Sequence, residues 1–300
     1  MIAPGRQVVL FDNSALNHLF GQAPHIDERM RLAVIEHMKA AASTVIALHA
    51  GLLGEVAGLF FSNRARFDQV SRFLFQTCAW HVIRSAFDDK VRPVRVAMEV
   101  QLRGRVPWER VIHPRRETKW MAAAFLDGKR SKLDVFARDA SERKKKFAVG
   151  ERERRSEAEK ELAEKGQRWD AEFMGWEADP SAVVDQWTLF DMRKNPRFYG
   201  LPADEERWPK PRDFVTLWFS RAYQVARLHE IFGENRKADD GGDLYDGMYF
   251  QEAAYADAFI TGDRRLAGRV KKLRLATPRI LSTEEWVAEL IGAADASGSV

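Results

Sequence analysis

Apolar residues along this 300-residue chain follow two rhythms. Short unbroken runs, Gln7–Phe11 (QVVLF), Val45–Leu48 (VIAL), Ala258–Ile260 (AFI) and the stretch around Arg279–Leu281, suit strands buried on both faces of a parallel sheet. Other segments place apolar residues three and four apart, the spacing of one helix face. Ala15, Leu16, Leu19 and Phe20 do so after the first run, and the apolar residues of Glu28–Ala42 do so before the second. Leu52, Leu53, Val56 and Leu59 follow His49-Ala50-Gly51, and Leu244 and Met248 precede the third run with Ala253 and Ala254. Leu266–Leu273 reads as a helix after it, and Ser282-Thr283-Glu284-Glu285 opens a last helix with a capping-box pattern. Strand and helix alternate, which predicts a three-layer α/β/α domain around a parallel sheet of about five strands.

The alternation breaks in the middle. The expected organisation is a first half at 1–60, a helix-rich insertion at 61–235, a second half at 236–292 and a flexible tail at 293–300. Within the insertion, Arg66–Ala86 and Val91–Leu102 each read as one helix, and Trp108–Trp120, with prolines at 107 and 114, as irregular. Glu151–Lys165 (ERERRSEAEKELAEK) has almost no apolar stripe and reads as a protruding, solvated helix. Trp169, Trp176 and Trp187 mark a return to packed structure. Prolines interrupt Lys194–Arg212, and Asp213 is placed to cap a helix through Ile231.

Composition changes this picture only slightly. The chain is 45% hydrophobic and 31% charged, ordinary globular material. Its one cysteine, Cys78, excludes an internal disulfide and suits a reducing cytoplasm. No apolar run approaches the roughly 20 residues of a membrane span, so no membrane partner is expected. The net charge of +4 is uneven: residues 101–170 carry 20 Lys/Arg against 13 Asp/Glu, a surface compatible with a polyanion. P-loop, HExxH, paired CxxC and GxSxG patterns are absent, which leaves nucleotide-loop, zinc and serine-hydrolase chemistry without support.

Candidate chemistry lies in acids just past the strands. Asp12 follows the first run, Glu55 sits on the helix after the second, Asp246 near a helix start, and Asp263 after the third run. Each alone also suits a cap or turn. On one sheet these positions share the carboxyl edge, where α/β folds bind ligands. Carboxylates gathered there repel, and a hard divalent cation with oxygen ligands is the usual resolution. Asp243 is a further acid, placed to cap the helix after Gly241-Gly242, and Asp257 reads as a turn acid before its strand.

At these residues the chain resembles the PIN-domain nucleases in a helix-inserted form. VVLFDNSAL (Val8–Leu16) matches the family's opening strand and Asp, and VIALHAGLLGEV (Val45–Val56) its strand with a helix-borne Glu. DGMYFQEAAYADAFITGD (Asp246–Asp263) matches its closing Asp-led helix and Thr-x-Asp, and PRILSTEEWV (Pro278–Val287) its last strand and helix. The resemblance covers about 1–60 and 236–290; the long insertion departs from the compact family pattern. It implies a metal site of Asp12, Glu55, Asp246 and Asp263, with Asp243 as an additional candidate ligand, holding Mg²⁺ or Mn²⁺. Asn13, Ser14 and Thr261 would support it by hydrogen bonding, and Arg264 and Arg265 would contact nucleic acid. The implied activity is metal-dependent endoribonuclease cleavage, with RNA the favoured substrate, in a cytoplasmic toxin or defence effector held by an inhibitory protein partner. Self-association is compatible with it. The alternatives are a structure-specific DNA nuclease and a catalytically silent PIN-like scaffold that binds nucleic acid or protein.

Overall fold

A computed structural model describes residues 5–21, 26–40, 43–85, 91–165, 176, 178–230 and 243–297. Five parallel strands form one sheet: β1 (Gln7–Phe11), β2 (Thr44–Leu48), β3 (Ala79–Val82), β4 (Ala258–Thr261) and β5 (Arg279–Ser282), in the order β3-β2-β1-β4-β5. The central strands are apolar at nearly every position and almost wholly buried, as a sheet covered on both faces requires. Side chains alternate across a strand, so the β1–β4 register places Leu10 and Phe259 on one face and Phe11 on the other. Phe259 meets Phe250 of a helix at Asp243–Ala253, and Phe11 meets Trp286 of the last helix, Thr283–Ser297. Helices therefore cover both faces, giving the three-layer α/β/α fold.

The described helices are α1 (Asn13–Phe20), α2 (Glu28–Ala40), α3 (Ala50–Ser62), α4 (Arg64–Arg72), α5 (Val91–Leu102), α6 (Trp108–Val111), α7 (Arg115–Leu126) and α8 (Arg130–Lys165). They continue as α9 (Pro180–Lys194), α10 (Val215–Leu228), α11 (Asp243–Ala253), α12 (Arg264–Lys271) and α13 (Thr283–Ser297). The expected capping box on α13 is present: Glu285 N–H donates to Ser282 Oγ at 3.0 Å, and Ser282 N–H to the Glu285 carboxylate at 2.6 Å. Asp257 accepts from Val8 N–H at 2.8 Å and so ties β1 to β4.

Several expectations are corrected. Arg66–Ala86 is not one helix: α4 ends at Arg72, a π-helical turn spans Phe73–Thr77, and the chain enters the sheet as edge strand β3. The sheet thus draws on residues beyond 60. Trp108–Trp120 is not irregular, because Pro107 and Pro114 each precede a helix, where a missing N–H costs nothing. Asp213 closes a 3-10 turn and does not cap α10. The Glu99 carboxylate of α5 accepts from Thr216 N–H instead, at 3.0 and 3.1 Å. The tail expected at 293–300 is helical as far as Ser297. Trp169, Gly241, Gly242 and Ile231 lie outside the described residues.

Within the insertion, α8, a 36-residue helix about 54 Å long, packs on α3 of the sheet domain. It runs antiparallel to α3, with Phe61 beside Lys129–Asp134 and Gly54 beside Phe136 and Ala140. A Cβ at Gly54 would lie 2.5 Å from that of Ala140, so the approach depends on the glycine.

Candidate active site

Asp12 leaves β1 at the carboxyl edge of the sheet and is 2% exposed. It caps α1 by accepting from Ala15 N–H at 2.7 Å. Ser14 Oγ donates to the same carboxylate, 2.7 and 2.8 Å from its two oxygens, and Thr261 Oγ1 also donates to it. Burial pushes the Asp12 carboxyl up to about 6, against the pull of these hydrogen bonds, and the charge of Asp263 adds to the rise. Thr261 links the two acids: its hydroxyl donates to Asp12 and accepts from Asp263 N–H at 3.0 Å. Asp263 in turn caps α12, accepting from Arg265 and Leu266 N–H at 2.7 and 3.1 Å. Gly262 N–H donates to Ser14 Oγ at 2.9 Å, closing the loop after β4 onto the loop after β1.

Glu55 rises from the first half of α3 and is partly buried. Lys144 Nζ of α8 lies 2.9 Å from its Oε1, and Tyr249 Oη of α11 donates to Oε2 at 2.5 Å. The Tyr249 hydroxyl is buried and sits in the field of Glu55, Asp12 and Asp246, with burial the largest cause and each charge a further cause of its raised pKa. His49 lies beside it, its ring 4.1 Å from that of Tyr249. Burial drives the imidazole down to about 3, so it is neutral, and Nδ1 accepts from Gly51 N–H at 3.0 Å at the start of α3.

Asp12 and Asp263 stand on adjoining loops at the carboxyl edge of the sheet, joined through Thr261, while Glu55 lies on α3 and Asp246 on α11, and the charges of Glu55, Asp12 and Asp246 add to burial in raising the pKa of the Tyr249 hydroxyl. These acids do not form a compact ligand cage: among the described residues no group of three acidic, histidine or cysteine side chains is spaced to hold one ion. Glu55 is engaged by Lys144 and Tyr249. The side chain of Asp243 lies outside the described residues. Of the supporting residues, Ser14 and Thr261 hold Asp12 as expected, while the buried Asn13 Oδ1 accepts no hydrogen bond. Arg264 is exposed, and Arg265 is drawn to Glu230 at 3.8 Å.

A hard cation suits part of this arrangement. Asp12 and Asp263 offer carboxylate oxygens on adjoining loops, with the unsatisfied Asn13 oxygen next in sequence. Magnesium commonly binds through one or two carboxylates plus waters and substrate phosphate, without an all-protein cage. Tyr249, His49 and Lys144 were not among the residues expected from sequence. The two aromatic residues look like core positions in sequence, and Lys144 is one of many charges on a solvated helix. No family model, curated protein or solved structure matches the chain. Among the described residues, no helix is long and apolar enough to cross a membrane.

Proposed function

We propose that the chain is a PIN-like, metal-dependent endoribonuclease whose reaction centre is the carboxyl edge at Asp12 and Asp263. One observation carries the reading: Asp12, almost wholly buried, and Asp263 stand on adjoining loops at the sheet edge where α/β folds bind ligands, with the Thr261 hydroxyl bonded to the Asp12 carboxylate and to the Asp263 backbone N–H. A buried carboxylate beside a second acid is costly without a compensating cation. Bound there, Mg²⁺ or Mn²⁺ would make a water nucleophilic near neutral pH and offset charge on the phosphate.

The protein's own contributions follow from the geometry. Ser14, Thr261 and Ala15 N–H fix the orientation of Asp12, and the start of α12 fixes Asp263. Tyr249 and Lys144 hold Glu55 at the border of the site, where Lys144 also presents positive charge to a phosphate. Basic residues of α8 extend that charge along the insertion; Arg130 and Lys132 of α8, with Lys129 just before it, line an open cavity of about 790 Å³ near Phe61.

The test is cleavage of a labelled single-stranded RNA pool with Mn²⁺ or Mg²⁺ against EDTA, alongside a flapped DNA substrate. Metal-dependent RNA cleavage lost in Asp12→Asn and Asp263→Asn is the expected result. A silent scaffold is the second reading, favoured by the structural use of three acids: Asp12 and Asp263 cap helices, and Glu55 is ion-paired. RNA binding without cleavage, unchanged by EDTA, would select it.

A further inference from the structure

Away from the carboxyl edge, one corner of the molecule combines exposed aromatic rings with positive charge. Phe61, near the end of α3, is 46% exposed, and Trp120, on α7, is 49% exposed. Burying either ring would be favourable, yet the fold leaves both half in water. Gly128, at φ 60°, turns the chain from α7 into α8 and brings Lys129, Arg130 and Lys132 to the same corner. Those three residues and Phe61 line the open cavity of about 790 Å³, and Lys132 Nζ lies 4.3 Å from the Trp120 ring centre. Rings and cations thus border one surface.

The charge left over there is positive. From Lys129 to Lys146 the chain carries eight Lys/Arg against three Asp/Glu. Asp134 and Asp139 are taken up by Arg138 and Arg143 of the same helix, and Asp127 by Lys129. Among the described residues, Arg130 and Lys132 form no ion pair. Exposed rings beside cations suit a ligand whose bases stack and whose phosphates carry charge. A duplex keeps its base faces stacked on one another, so a single strand is the form that uses both features.

We propose that this corner is a binding site for single-stranded nucleic acid, with bases stacked on Trp120 and Phe61 and backbone phosphates held by Arg130 and Lys132. Lys132 lies about 18 Å along α8 from Lys144, so the site is separate from the contact with Glu55. It requires no metal, and it stands whether the carboxyl edge cleaves or not.

The experiment is fluorescence anisotropy of labelled oligo-uridine and oligo-deoxythymidine with the full chain in EDTA, over a range of KCl. Wild type is compared with Trp120→Leu, Trp120→Phe, Phe61→Leu and the double variant Arg130→Gln, Lys132→Gln, each checked for an intact melting transition. Phe190→Leu, which alters another exposed ring on α9, is the control. Trp120→Leu and Phe61→Leu should each bind about tenfold more weakly or worse, with Trp120→Phe and Phe190→Leu close to wild type. The double variant should lower the slope of log affinity against log salt by about 1.4. Preference for one oligonucleotide would identify the sugar the site takes. No binding by wild type, undiminished binding in both leucine variants of the corner, or equal competition by a duplex of the same length would overturn the proposal. So would equal competition by poly-glutamate, which would mark a surface for acidic peptide.

Discussion

At the scale of single residues, an acid that caps a helix and an acid that serves chemistry respond differently to the same substitution. Asp12→Asn keeps an oxygen for Ala15 N–H, and asparagine caps as well as aspartate. It also removes a buried charge that burial and Asp263 already disfavour. Thermal unfolding should therefore place the Asp12→Asn protein within about 1 kcal/mol of wild type, while metal-dependent cleavage should fall by about 100-fold or more, roughly 3 kcal/mol of barrier. A large loss of stability with cleavage intact would make Asp12 a structural cap alone. Asp12, Ser14, Thr261 and Asp263 were legible in the sequence because each adjoins a strand end, where local pattern and site coincide. Lys144 was not legible: its role depends on α8 meeting α3 across 89 positions of sequence, and nothing in SERKKKFAV distinguishes the lysine that turns inward.

Elements show the same division between local and distant causes. β1, β2 and β4 stand out because strands buried on both faces are apolar at nearly every position. β3 does not: it is a four-residue edge strand, mostly half-exposed, entered through a π-helical turn without Gly or Pro to mark the break. Likewise α10 takes its N-terminal acceptor from Glu99, 117 positions away, rather than from the nearby Asp213. Glu99 is fully buried, bonded by Thr216 and Tyr255 and close to Arg95, which pairs with Glu252 at 2.8 Å. Burial outweighs those partners and raises its carboxyl to about 7. A raised acid stabilises the fold below its unfolded pKa and loses that contribution as pH climbs through the folded value. Stability should therefore decline between about pH 4 and 7, by up to roughly 3 kcal/mol from this group, and urea melts of Glu99→Gln should show a flatter profile across that range. The α3–α8 contact gives a second test. Gly54→Ala gains helix propensity worth about 1 kcal/mol, but its methyl would press on Ala140 at 2.5 Å, an overpacking cost of about 1–3 kcal/mol. A lower melting temperature in Gly54→Ala, restored when Ala140→Gly is added, is the expected outcome; additive effects would mean the helices do not rely on that approach.

For the whole molecule, the sheet order β3-β2-β1-β4-β5 is what turns scattered acids into neighbours. β1 and β4 pair directly although Val8 and Asp257, bonded to each other, lie 249 positions apart, so the loops bearing Asp12 and Asp263 must adjoin. That juxtaposition was readable in outline from strand–helix alternation, whereas the ion-pairing of Glu55 required the insertion's placement. The same juxtaposition concentrates negative charge in the folded chain that the unfolded chain disperses, so a cation that binds the edge must stabilise the fold by mass action. At Mn²⁺ about one hundred times its dissociation constant the gain is about 2.7 kcal/mol, a rise of several degrees in melting temperature for a chain of this size. Asp12→Asn and Asp263→Asn should each abolish the Mn²⁺-dependent rise, and Na⁺ controls at equal ionic strength separate binding from screening. A rise that survives both substitutions would place the cation elsewhere on the chain, and the acids of this edge would then be left as caps for α1 and α12.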